Sequence, residues 1–158
     1  MRRTRQQRAF TLIELVVVLA TITVLTAIAV PRFEKAYTQA QTVEVITTTA
    51  TIERQLVEYY SHNYQYPPTS GAQNPPNPLV AGRVTWVEDQ PGWTDIAFKG
   101  DGQAYIYRYT FTTTADAQGH YTQAVIHGWA DNDGNHVNGD YYIYLQDGYR
   151  IGELFIEE

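Results

Sequence analysis

FTLIELVVVLATITVLTAIAV, running from Phe10 to Val30, holds twenty-one residues and a single charge, Glu14. At about 1.5 Å rise per residue it makes a helix roughly 31 Å long, the thickness of a bilayer hydrocarbon core of about 30 Å. Arg2, Arg3, Arg5 and Arg8 precede it with no acid among them. By the positive-inside rule they keep residues 1–9 cytoplasmic and send the rest of the chain across the membrane. An acid in a membrane helix costs on the order of 2.5–3.5 kcal/mol and marks a functional position. Glu14 has no basic partner in its own helix, so its partner is expected from elsewhere, most simply another copy of the chain. A secretory signal peptide is the competing reading, because Ala27-Ile28-Ala29 has the A-x-A form of a cleavage site.

Helical character continues beyond the apolar run. Pro31 removes one hydrogen bond and crowds the carbonyl of Ala27, so a kink is expected there. Arg32, Glu34 and Lys35 mark an interface, and Phe33, Tyr37, Ala40, Val43, Ala50 and Val57 then recur at helical spacings. The pattern predicts one helix over residues 10–60, with a membrane half at 10–30 and an amphipathic half at 31–60. Six prolines from Pro67 to Pro91 and their Asn, Ser and Gly neighbours predict a long loop at about 61–83. Strands are expected at Val84–Glu88, Thr94–Phe98, Ala104–Thr112, Tyr121–Ala130, Asp140–Gln146 and Tyr149–Ile156, with Asp147-Gly148 as a hairpin turn. The fold class is therefore α+β: a long N-terminal α-helix packed on a C-terminal antiparallel β-sheet of about four to six strands, in a head spanning 61–158.

Composition narrows the chemistry. The chain has 158 residues, net charge −6 and no cysteine, which removes disulfides, thiol catalysis and cysteine-ligated metals. Four of its eleven basic residues lie in the first eight positions, leaving seven against seventeen acids elsewhere, a poor balance for binding nucleic acid. Tyr105, Tyr107, Tyr109 and Phe111 alternate along one strand; they read as cross-strand packing, or alternatively as a stacking platform. No H-x-x-x-H, G-x-S-x-G or phosphate-loop pattern occurs, and no enzymatic activity is expected. Asp131, Asp133, Asn135 and Asp140 form an oxygen-rich loop that reads as a calcium site or as an Asx-rich turn. It does not fit an EF-hand, since setting Gly134 at the sixth position puts Trp129 at the first.

Residues 8–15, Arg-Ala-Phe-Thr-Leu-Ile-Glu-Leu, resemble the processing site of type IV prepilins and the related pseudopilins. The pattern is specific: a basic leader, a small residue, Phe, and Thr-Leu-Ile-Glu-Leu opening an apolar helix. The close resemblance covers residues 8–31 and is architectural beyond them. It implies a leader at residues 1–9, cleavage between Ala9 and Phe10 by prepilin peptidase, and N-methylation of Phe10. It also implies pairing of Glu14 with the Phe10 amine of a neighbour, and a helix-kinking proline at Pro31. The family prefers glycine where this chain has Ala9, and many members staple the C-terminal region with a disulfide that this chain cannot form.

The implied partners are other pilins in a helical filament, the peptidase, and an assembly platform in the bacterial inner membrane. The implied location is single-pass in that membrane before assembly, and an extracellular pilus or periplasmic pseudopilus afterwards. A pseudopilin of a type II secretion system and a signal-anchored extracytoplasmic binding domain are the alternatives.

Overall fold

A computed structural model describes residues 10–75, 83–130 and 139–156. One helix, α1 (Leu12–Asn63), is followed by β1 (Gly71–Asn74), β2 (Val84–Thr85), β3 (Ala104–Tyr105), β4 (Arg108–Ala115), β5 (Tyr121–Ala130), β6 (Gly139–Gln146) and β7 (Tyr149–Ile156). The chain divides into two compact units, Met1–Gln39 and Ala40–Glu158.

In the first unit the exposed side chains of α1 are largely apolar as far as Val30, and the helix runs through Pro31 unbroken. It starts two residues later than the sequence suggested, because Thr11 serves as its N-cap. It ends three residues later, at Asn63. There Tyr64 takes the left-handed conformation at φ 56° and donates its backbone N–H to Tyr60 O at 2.7 Å.

In the second unit the sheet order is β1-β4-β5-β6-β7, all neighbours antiparallel, and a separate pair joins β2 to β3. The expected meander is present as β4 to β7. The last part of α1 covers one face of the sheet, but with a different row from the one the apolar spacing indicated. Val45, Ile52, Leu56 and Thr49 are fully buried, and Gln41 and Thr48 nearly so. Val43 and Ala50 of the expected row stay exposed and Val57 is half-buried. Thr49 can sit on the packed face because its Oγ1 donates back to Val45 O at 2.6 Å and needs no outside partner. At Gly128 of β5 the helix comes so close that an added Cβ would lie 2.7 Å from Val45 Cγ2.

Three strand expectations are corrected. The strand at Val84–Glu88 shortens to β2, because only Val84 and Thr85 find partners, in Tyr105 and Ala104 of β3. Thr94–Phe98 is a turn, closed by Thr94 N to Gln90 O at 3.1 Å and Phe98 N to Trp93 O at 3.0 Å. The long strand at 104–112 is divided into β3 and β4, and β4 runs on to Ala115. The break at Ile106 and Tyr107 is held from α1: Glu44 Oε1 accepts their backbone N–H groups at 2.7 and 3.2 Å, and Glu44 Oε2 pairs with Arg83 Nη1 at 3.0 Å.

Tyr105, Tyr107, Tyr109 and Phe111 are all buried, so the alternation is core packing and not a stacking platform. Trp86 and Trp93 join them, with ring centroids 4.9 Å apart, and Trp93 meets Phe111 edge-on at 5.0 Å. This aromatic cluster fastens the segment before β3 to the sheet, a task that a disulfide cannot perform in a chain without cysteine.

Candidate functional site

The start of α1 carries Phe10 and Glu14, the residues to which the sequence assigns processing and assembly. Thr11 and Glu14 form a capping box. Thr11 N and Thr11 Oγ1 donate to Glu14 Oε2 at 2.9 and 2.7 Å, and Glu14 N donates to Thr11 Oγ1 at 3.3 Å. The first turn of a helix carries orphan N–H groups and a partial positive charge, so a carboxylate three residues after the N-cap is stabilised there. Glu14 is thus anchored within its own helix, through one oxygen, by an uncharged partner, Thr11. The Thr11-x-x-Glu14 spacing is the signal that would have found it. Phe10, just before the cap, is 79% exposed.

The following residues make the helix surface uniformly apolar. Leu12, Ile13, Leu15 and Val16 are exposed, and so are Leu19, Ile22, Leu25 and Ile28 further along. Threonine hydroxyls do not interrupt this surface, because Thr21, Thr23 and Thr26 donate to Val18 O, Leu19 O and Ile22 O at 2.7–2.8 Å. By length and composition this helix can cross a membrane, and none of its apolar window is buried against the chain's own residues. Pro31 lies beside a shallow groove shared with Ile22, Thr23, Thr26, Ala27 and Val30. Ala9 lies outside the described residues.

Arg150 and His127 each centre a polar cluster in the head. Arg150 makes a bidentate pair with Glu53 of α1, Nε to Oε1 at 2.9 Å and Nη2 to Oε2, and its Nη1 donates to Glu153 Oε2 at 2.6 Å. The hydrogen bonds to Glu53 raise the guanidinium pKa. On the face of the sheet away from α1, His127 stacks between Trp129 and Tyr142, with centroids at 4.6 and 4.2 Å. His127 Nε2 meets Asp140 Oδ1 at 2.6 Å. Asp140, the one calcium candidate within the described residues, is therefore already engaged by an imidazole. Asp131, Asp133 and Asn135 lie outside them. Among the described residues no group of three or more acidic, His or Cys side chains is placed to hold a metal.

An apolar, capped N-terminal helix leading into a helix-covered antiparallel sheet defines a pilin-like α+β protein. The prokaryotic N-terminal methylation motif matches residues 4–30. Two curated relatives are type IV major pilin proteins PilE1 of Neisseria gonorrhoeae. One is 32% identical over 89 residues, covering 54% of this chain and 54% of the relative. The other is 28% identical over 99 residues, covering 61% and 55%. The chain carries the methylation motif at its N-terminus and is similar to these pilins, and it spans about half the length of the curated relatives it matches. No solved structure matches it significantly.

Proposed function

We propose that this protein is a structural subunit of a type IV pilus or pilus-like filament, polymerised through α1. The supporting observation is the apolar first part of α1: it is not buried against the chain's own residues, and the one acid of the run to Val30 stands in a capping box at the very start. Exposed apolar surface on this scale needs lipid before assembly and other subunits after it. In this reading prepilin peptidase cuts between Ala9 and Phe10 on the cytoplasmic side, and the freed Phe10 amine is methylated. The C-terminus lies outside the inner membrane, and an assembly platform there extracts the subunits into the filament. Glu14 keeps Oε2 on Thr11 and offers Oε1 to the Phe10 amine of a neighbour, so that two buried charges neutralise each other. The subunit carries out no catalytic turnover.

The relatives' description as major pilins favours an extracellular pilus over the pseudopilus of a type II secretion system. The test is Glu14→Ala in the source cells. Filament yield should fall to little or nothing while the precursor still accumulates with a folded head. Wild-type filament yield would remove Glu14 from the mechanism.

A further inference from the structure

The two outer strands of the sheet differ in what is left open. β1 is four residues long, and the segment that follows β2 closes over it. The Trp93 indole N–H donates to Ala72 O at 2.6 Å, and a Cβ at Gly92 would come within 2.7 Å of Gly71 N. β7 is eight residues long and pairs only with β6 among the described residues. Tyr149 is 76%, Ile151 63% and Leu154 45% exposed, and Phe155 and Ile156 are exposed as well. An unpaired, apolar edge of this length is a template for another strand unless something blunts it.

Its first half is blunted. Tyr144 pairs with Gly152 and Leu145 with Arg150, so Ile151 is an extra residue in a bulge. The shift brings Arg150 and Glu153 together on the side facing α1. The second half, Gly152–Ile156, is regular. Its one charge, Glu153, already holds Arg150 Nη1 and accepts from Tyr141 OH at 3.0 Å. A chain of net charge −6 can therefore meet its own copy here without opposing like charges.

The geometry points to a second copy as the occupant: Gly152–Ile156 pairs antiparallel with the same segment of another molecule, about a two-fold axis at Leu154. Leu154 then faces Leu154 of the second copy, and each Ile156 lies over the other's Gly152. There is room at that position, since an added Cβ on Gly152 would meet only Tyr144 Cδ2, at 3.9 Å. Because β1 is closed over, the contact is β7 to β7, isologous, and complete at two molecules. It goes beyond filament assembly through α1 and uses head residues alone.

The chain has no cysteine, so Leu154→Cys introduces its single thiol. Directly opposed residues of an antiparallel pair have Cβ atoms about 4.5–5.5 Å apart, within reach of a disulfide after a small adjustment. The experiment oxidises full-length Leu154→Cys in native membranes with copper phenanthroline and compares it with Thr112→Cys, an exposed site on β4 away from the edge. Disulfide-linked dimer is expected from Leu154→Cys at several times the yield from Thr112→Cys, and equally in a Glu14→Ala background. Adding Ile156→Lys should abolish the difference. Equal yields from the two thiols, a crosslink to a chain of different mass, or loss of the dimer with Glu14→Ala would each overturn the proposal. Filament yield from Glu14→Ala alone judges the assembly mechanism separately.

Discussion

Replacing Glu44 with Ala removes the acceptor that holds the break between β3 and β4. Oε1 receives two backbone N–H groups, from Ile106 at 2.7 Å and Tyr107 at 3.2 Å. Leaving a buried donor unsatisfied costs about 1–3 kcal/mol. Both bonds are only partly buried, so water recovers some of that loss. The Arg83 side chain is 59% exposed, and its pair with Oε2 adds at most about 1 kcal/mol. The expected destabilisation is about 3 kcal/mol for Glu44→Ala. For Glu44→Gln, which keeps an amide oxygen for the two donors, about 1 kcal/mol is expected. Urea unfolding of the full-length chain in detergent, followed through the fluorescence of buried Trp86 and Trp93, reads both. A Glu44→Ala protein within about 0.5 kcal/mol of wild type, the range of an ordinary surface change, would refute the reasoning. So would a Gln variant as damaged as the Ala one.

Three further outcomes follow from the packing and the polar groups. Gly128→Ala should cost about 1–3 kcal/mol in the same unfolding assay, because its Cβ meets Val45, a β-branched side chain fixed on a helix. Burial pushes the Tyr66 phenol up to about 12, although its bond from Gly148 N–H opposes the shift. The unfolded chain ionises first, near pH 10, so this contribution is complete below pH 10 and is lost as pH rises to about 12. Tyr66→Phe should make melting temperature fall less steeply over that range. Calcium at millimolar concentration should not raise the melting temperature, because Asp140 already serves His127. A rise reversed by chelator would restore the four-residue site at Asp131, Asp133, Asn135 and Asp140.

What could be read in the sequence depended on how local its cause was. The apolar run to Val30 declared a helix by itself, and β5 matched its expected bounds because its alternation is regular over ten residues. Glu44 holds a break 62 residues away, which no local pattern encodes. The packed side of α1 was hidden because Gln41, Thr48 and Thr49 lie on it while Val43 does not; a threonine that bonds its own helix can be buried without looking apolar. β1 escaped notice among prolines, since its place depends on β4 and on Trp93. At the candidate site the identity of Glu14 was legible, but charge pattern alone does not show that its nearest partner is the hydroxyl of Thr11.

The central claim is that residues 1–9 are a leader and α1 is the assembly element, and the mature N-terminus tests it most directly. Mass spectrometry of the protein recovered from surface filaments should show a first residue of N-methylated Phe10, followed by Thr11 and Leu12. A mature chain beginning at Val30, or one still beginning at Met1, would contradict the account.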